Sequence, residues 1–354
     1  MIKFSQNSAF TQELRNEVKK YFLDNKISEK GNIALYFKTF FWITTTLFCY
    51  TILVFFTPTP SFSIPLCVLL GFSFAGIGFN VMHDAGHGSY SKNKVVNTIF
   101  AHSLNLLGAN AHIWDKKHNI THHTYTNTDH DDDIHVAPML RMSKNQKWYW
   151  WYRFQTLYMW ILYAIEYIGW IIVFDLKKYF QGKACNTNIK FTKAGHWIFW
   201  LSKVIYFTIF VVLPMFIVGV TPTLIGYGIT AGVCGVVISI VFQLAHVHEK
   251  ALFPTAIPTE KEGVGKIEKE NAIHQIETTA NFATQNPFIS WYVGGLNFQV
   301  EHHLFPNISH VHYPKIRKIV RQVCNKYSVK YHEFPTFFSA LISHVKQMWK
   351  MSIA

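Results

Sequence analysis

The sequence predicts an all-α integral membrane protein: four transmembrane helices in two hairpins, with interfacial helices and a cytoplasmic helical cap that holds a histidine-rich metal site. Three observations predict it. Half of the 354 residues are hydrophobic and only 15% are charged, against roughly 25% in soluble domains. Four apolar runs, 37–56, 61–82, 197–220 and 223–246, reach the roughly 20 residues that a helix needs to cross a bilayer. Three histidine clusters recur: His83-Asp-Ala-Gly-His87, His118-Asn-Ile-Thr-His122-His123 and Gln299-Val-Glu-His302-His303.

In chain order, residues 1–35 are polar and charged and carry no cleavable signal peptide; they read as a cytoplasmic segment. The first hairpin, 37–82, turns at Thr57-Pro58-Thr59-Pro60, and the second, 197–246, at Thr221-Pro222. Proline-rich turns suit helical hairpins. Neither turn contains Lys, Arg, Asp or Glu. The charged flanks fall instead in the N-terminal segment, in region 83–196 and in region 247–354, which the positive-inside rule places in the cytoplasm. All three histidine clusters then lie on one membrane face, within a single domain spanning 1–354.

A fifth apolar stretch, 148–174, holds Arg153, Glu166 and many Trp and Tyr residues. A fifth span would put the third cluster across the membrane from the first two. The stretch is therefore expected to lie in the headgroup zone, where such aromatics concentrate. A shorter run, 99–111, is expected to be interfacial or buried against the bundle. Residues 250–271 read as a charged spacer loop, and 314–354 as basic amphipathic helices on the cytoplasmic side.

Lys and Arg number 33 against 20 Asp and Glu, giving a net charge of +13. With four spans, anionic lipid or an acidic protein partner fits that charge better than nucleic acid. The five cysteines, Cys49, Cys67, Cys185, Cys234 and Cys324, form no C-x-x-C pair, so neither a rubredoxin-like iron site nor a thiol redox motif is expected.

The chemistry lies in the histidine spacing. Residues three and four apart share a helix face, so each cluster aims two or three side chains at a common point. Gln299 stands in a ligand-like place with a weaker neutral donor, or holds a water. His246 closes the fourth span at the same membrane level and is a further ligand candidate. His248 lies roughly 200° round a helix from it and is not. His102, His112, His130, His135, His274, His310 and His312 lack a repeated spacing and are expected to be structural. Asp84, Glu301 and the acidic run 129–133 are placed to accept the second N–H of ligand imidazoles and fix their tautomers. A nitrogen-rich site without thiolates suits iron, zinc or copper. Eight histidines exceed what one ion takes, and structural zinc is satisfied by four ligands, so two redox-active ions explain the number better.

HDAGH, HNITHHTYTN and GGLNFQVEHHLFP resemble the three histidine boxes of membrane fatty acid desaturases, and the similarity runs from the first span onward. The glutamine opening the third box is similar to that of the front-end (linoleoyl-CoA or delta-6 type) group. The resemblance implies a mushroom-like bundle, with four spans and a cytoplasmic cap holding two irons. It implies removal of two hydrogens from an acyl chain by iron, O2 and two external electrons, with no catalytic side chain beyond the metal centre. It implies His83, His87, His118, His122, His123, His246, His302 and His303 as ligands, bordered by Gln299, and a site facing the cytoplasm of a bacterial inner membrane. The substrate would be an acyl-CoA or acyl-lipid, and Trp114, Trp291, Tyr292 and Phe298 are candidates for its tunnel wall. Gly294-Gly295 reads either as a close approach of the substrate chain or as a turn.

Two departures from the family pattern stand out. The His-Pro-Gly-Gly motif of a fused cytochrome domain is missing. No bound haem or flavin is therefore expected, and electrons should come from a separate ferredoxin or cytochrome. HNITHH also has one residue more than the shorter H-x-x-H-H form. The rival readings are hydroxylation of a lipid, sphingoid or alkane chain on the same scaffold, and metal transport. Transport would need ionisable ligands near the bilayer centre, where the four runs hold almost none.

Overall fold

The computed structural model describes residues 2–134, 136–184, 187–259 and 264–353. His135 and Cys185 lie outside these residues. Five helices are long and apolar enough to cross a membrane. After an amphipathic helix, α1 (Ala9–Asp24), come α2 (Ile33–Phe56) and α3 (Pro60–Gly86). A short α4 (Lys94–Ala101) leads to α5 (Ala111–Trp114, continued as a π-helix over Asp115–His122). The remaining long helices are α6 (Trp150–Gln181), α7 (Lys193–Ile217) and α8 (Val220–His246). The C-terminal part adds α9 (Asn271–Glu277), α10 (Gln299–Leu304), α11 (Tyr313–Lys326) and α12 (Phe337–Ile353).

Helix starts follow local chemistry. The side chain of Asn32 caps Ala34 N–H of α2, and Thr192 caps Gly195 N–H of α7, satisfying otherwise orphaned donors. The second hairpin breaks at Gly219, where φ is +103°, and not at Thr221-Pro222. Pro222 sits in the first turn of α8, where its missing N–H costs no intrahelical bond.

The long helices meet through small residues, which let backbones approach. A Cβ on Gly71 of α3 would stand 2.5 Å from the Thr230 carbonyl of α8, and one on Gly235 of α8 would stand 2.6 Å from the Tyr163 carbonyl of α6. Their inner faces form one hydrophobic core that includes Trp42, Phe74, Tyr167 and Tyr206. Their outer faces carry Phe37, Phe40, Phe48, Phe56, Phe62, Trp197 and Phe216, all exposed. A contiguous apolar surface of that size needs lipid against it.

The stretch expected at the interface forms the greater, N-terminal part of α6, a 32-residue helix that is also long and apolar enough to cross a membrane, though its mean hydropathy is the lowest of the five. On it Gln155 is buried and bonds Arg141 and Met348, whereas Arg153 is exposed and sits over the Trp148 ring at 5.4 Å. The chain is also not purely helical. Ile2–Ser5 pairs in parallel with Gly265–Glu270, which pairs with Ile257–Pro258, and Asn281–Phe282 pairs with Glu333–Phe334. These strands and the packing of α1 on α11 through Phe10, Leu14 and Val320 close the end of the bundle that carries the histidines.

Candidate metal centre

π-helical turns present the first two clusters. The His83 N–H bonds to the Gly78 carbonyl and the His123 N–H to the His118 carbonyl, both five residues back. A π-helix takes roughly 4.4 residues per turn, and such bulges are frequent at functional sites. His122 and His123, four and five residues after His118, therefore both fall within about 50° of it. In a regular α-helix His123 would turn away. The additional residue in HNITHH is accommodated in this way. The third cluster sits on α10, and His246 ends α8.

Histidines from four parts of the chain converge. The ring centroid of His83 lies 4.6 Å from that of His87 and 4.6 Å from that of His302; His87 and His118 are 5.3 Å apart. Beside them, His122 lies 4.6 Å from His246 and 4.9 Å from His303. His123 is 4.6 Å from His302 and 4.3 Å from His303, between the two groups. Ligand-capable atoms of His83, His87, His118 and His302 lie within 4.8 Å of one another, as do those of His122, His246 and His303. His248 is outside both groups, with its ring 5.2 Å from Phe334.

In four of the rings the hydrogen bonding separates the two nitrogens. Their Nδ1 atoms are engaged: His118 with Asp133 at 3.4 Å, His122 with Asp131 at 3.0 Å, His302 with the Tyr313 hydroxyl at 3.1 Å and His303 with Gln275 Oε1 at 2.8 Å, whereas the Nδ1 atoms of His123 and His246 are unpartnered. The Nε2 atoms of His87, His118, His122, His123, His246, His302 and His303 are buried with no hydrogen-bond partner. Buried polar atoms are normally paired, so seven adjoining rings with orphaned nitrogens fit a metal site. Burial first, and then the neighbouring imidazoles, hold His87, His123, His302 and His303 well below the usual imidazole pKa. They are thus in the neutral, metal-binding form. Burial also opposes a proton on His122, but Asp131 and Asp133 outweigh it and raise the pKa. The field that favours a proton there favours a cation too.

Two expected carboxylates do other work. Asp84 accepts from Ser309 Oγ at 2.6 Å and lies 3.0 Å from His310 Nδ1; His310 Nε2 in turn lies 3.0 Å from Lys38 Nζ. Glu301 accepts from Asn281 at 2.7 Å and Tyr331 at 2.8 Å. Burial pushes its pKa up to about 7 against those bonds. Both point away from the clustered rings because, on their helices, the histidines occupy the inner face. Within the acidic run, Asp131 and Asp133 make the expected contacts. Asp133 is held well below the carboxylate range: burial opposes this, but Lys117, 2.5 Å away, together with His118 and His122 outweighs it.

Sequence reasoning missed Gln275, Tyr313 and Asn127. Asn127 adopts φ +59° and donates to the carbonyls of His246, Leu252 and Thr278, tying the second cluster to the end of α8. Its αL conformation is one that Asn tolerates, but nothing local announces its three partners.

Gln299 is buried, its Oε1 unpartnered, and it faces a cavity of about 750 Å³. His83, His118 and Trp114 share that wall. From there the cavity runs between α3 and α8, past Met82, Phe79 and Phe74 on one side and Phe242, Ile238 and Cys234 on the other. At 1.5 Å rise per residue, Cys234 stands roughly 18 Å along the helix from His246. Near Asp132 and Asp133 the cavity is lined by Lys177, Lys178 and Lys183. Of the four expected tunnel residues only Trp114 lines it. Trp291 and Tyr292 pack on Trp42, and Phe298 is buried against Val18, Phe22 and Tyr313. Gly294 and Gly295 form a turn at φ +58° and +68°, pressed against Phe79 and His310.

A profile of the fatty acid desaturase family matches residues 59–335. The chain is 37% identical over 370 residues to the sn-1 linoleoyl-lipid 6-desaturase of Synechocystis sp., covering 100% of this chain and 98% of that protein. It is 34% identical to the sn-1 linoleoyl-lipid 6-desaturase of Arthrospira platensis, over 99% of this chain and 95% of the other. The acyl-lipid (8-3)-desaturase of Physcomitrium patens is 32% identical over 99% of this chain and 73% of its own length. The converging histidines, the apolar cavity beside them and these matches lead to one statement: the chain belongs to the fatty acid desaturase family and is an oxidoreductase acting on fatty acyl chains.

Proposed function

We propose that this protein is a front-end acyl-lipid desaturase that uses two histidine-held irons, O2 and two external electrons to place a cis double bond near the head-group end of a long chain. The convergent set of unpartnered Nε2 atoms carries this reading. One iron would be held by His83, His87, His118 and His302, the other by His122, His246 and His303, with His123 between them. Gln299 borders the set, as a ligand or by holding a water. The irons supply activation of O2 strong enough to take hydrogen from an unactivated methylene. The overall reaction is R–CH2–CH2–R′ + O2 + 2 e⁻ + 2 H⁺ → R–CH=CH–R′ + 2 H2O.

The side chains prepare the site. Asp131, Asp133, Tyr313 and Gln275 fix the imidazole orientations. The apolar walls exclude water and hold the chain extended past the histidines. The lysine-lined part of the cavity is two links from them: Lys178 pairs with Asp132, whose neighbour Asp133 contacts His118. The deep arm between α3 and α8 is far longer. A head group at the lysines and a tail in the deep arm put the reacting carbons close to the head group. The names of the relatives agree with that order, and none of the three is a hydroxylase.

In this reading α2, α3, α7 and α8 cross the membrane, a bacterial inner membrane, with both termini and the irons on the cytoplasmic side. α6 runs along the headgroup zone. In its support, Lys178 near the end of α6 pairs with Asp132, so the chain leaves and rejoins the histidine end. The outgoing segment is non-helical and contains Arg141, Lys144 and Lys147, and irregular charged backbone is not exposed to lipid tails. A separate ferredoxin or cytochrome delivers the electrons.

Expression in a host with a ferredoxin system, followed by mass spectrometry of its lipids, tests the reading. A new double bond near the carboxyl end, with about two irons per chain, is expected; no new unsaturated species in an iron-replete protein would refute it. His122→Ala should abolish turnover and remove part of the iron.

A further inference from the structure

A second recess, of about 530 Å³, shares Trp114 in its wall with the acyl cavity. It is bounded by the end of α3, by α4, by the start of α5 and by the first turns of α7, with Lys94, His102, His112 and Lys190 in its wall. Lys92, Lys116 and Lys193 flank those residues in sequence. Asp115 is the single carboxylate among the lining residues, and Lys116 pairs with it at 3.0 Å. The rim is therefore basic.

Trp114, with Ala85 and Gly86, lines the recess on the side of the histidines. Its ring stacks on His118 at 4.6 Å and 21°, and lies 5.6 Å from His87 and 5.8 Å from His83. The ring is held closely: a Cβ on Gly86 would stand 2.3 Å from Trp114 Cζ3. Three rings of the first histidine group thus share one aromatic neighbour that also lines the recess.

We infer that this recess is the docking site of a soluble one-electron carrier protein with an acidic face, and that the Trp114 ring is the route by which its electrons reach the histidine-held irons. The inference rests on the desaturase reading above, which requires two electrons per turnover from outside the chain. The carrier is oxidised twice, one electron at a time, and the two accompanying protons leave in the two waters. Basic rims attract acidic partners and set their association rates. An aromatic ring in contact with ligand imidazoles shortens the through-space gap that electrons must cross, and tunnelling falls steeply with that gap.

The test uses the iron-loaded, detergent-solubilised protein, anaerobic and without acyl substrate, so that substrate binding plays no part. Reduction of the iron centre is followed spectroscopically with two reductants. One is a plant-type ferredoxin kept reduced by NADPH and its reductase; the other is dithionite. Per iron bound, Trp114→Leu should slow reduction by ferredoxin at least tenfold more than reduction by dithionite; Trp114→Phe should fall between. Lys94→Glu and Lys190→Glu should raise the ferredoxin concentration for half-maximal rate at least fivefold and flatten its dependence on salt. Equal slowing with both reductants, or none with ferredoxin, would overturn the route. Lysine variants that lose binding to phosphatidylglycerol vesicles while keeping the ferredoxin rate would overturn the docking site in favour of a lipid head group. A wild-type protein that holds no reducible iron would instead overturn the desaturase reading itself.

Discussion

His122 Nδ1 lies 3.0 Å from Asp131 Oδ2, and both side chains are fully buried. Asp131 also accepts the backbone N–H groups of Asn127 and Asp133. One carboxylate therefore shapes the loop after the second histidine cluster and orients a ring of that cluster. Asp131→Asn keeps the shape and removes the charge. Such outer partners typically contribute 10- to 100-fold in metal affinity. The variant should lose iron about 10- to 100-fold more readily in a chelator titration, with helical content unchanged. Iron retention equal to wild type would show that Asp131 serves the loop alone.

The cavity between α3 and α8 predicts a chain-length effect. Cys234 is buried at its deep arm, roughly 18 Å from His246 along α8. Cys234→Phe fills that arm, and Ile238→Phe fills it closer to the histidines. Overpacking costs about 1–3 kcal/mol, which a large bundle tolerates. Turnover of an 18-carbon chain should fall at least tenfold relative to a 16-carbon chain, more steeply for Ile238→Phe. Equal loss on both chains would mean that the tail lies elsewhere.

The parts of this site visible in the sequence are those with a short repeat. His83/His87, His118/His122 and Gln299/His303 announce themselves because a four-residue step is a helical step. Asp131 was visible only as part of an acidic run. Gln275 and Tyr313 were not visible, since they reach His303 and His302 through tertiary packing and their own surroundings have no periodicity. Glu301 and Asp84 misled because each is taken by partners from other elements, Asn281 and Tyr331 for Glu301, Ser309 and His310 for Asp84, that sequence proximity to a histidine does not reveal. Four of the five long apolar helices were legible as such from length and hydropathy. The strand Ile2–Ser5 was not, because four residues paired with a segment more than 260 positions away leave no local signal. In α6, aromatic density suits both a lipid-facing helix and a headgroup-zone helix, so composition alone decided little.

Gly294 adopts φ +58°, and a Cβ there would stand 2.4 Å from the Phe79 carbonyl oxygen and 2.8 Å from its carbon. Backbone cannot yield as a flexible side chain does. Left-handed geometry alone costs a non-glycine residue about 1–2 kcal/mol, and the clash adds to it. Gly294→Ala should therefore displace the third histidine cluster from the first, lowering both thermal stability and iron content. Gly228→Ala, with nothing within 4 Å of the added atom, is the matched control. Equal stability of the two variants would rule out this turn as the joint between the clusters.

His344 lies outside the long apolar helices, fully buried on α12, with Nδ1 2.7 Å from the Val247 carbonyl and Nε2 2.8 Å from the Tyr163 hydroxyl. One nitrogen donates and the other accepts, which only the neutral ring can do. Burial pushes its pKa down to about 4, against the bond to Val247. The unfolded chain takes up a proton near pH 6.5, and the native protein not until about 4. Stability from this residue is thus complete above pH 6.5 and is lost as pH falls towards 4, by up to about 3 kcal/mol. The detergent-solubilised protein should show a falling melting temperature from pH 7 to pH 4.5, with a shallower fall in His344→Gln. Parallel curves for the two proteins would assign the acid sensitivity to other groups and leave His344 a packing residue only.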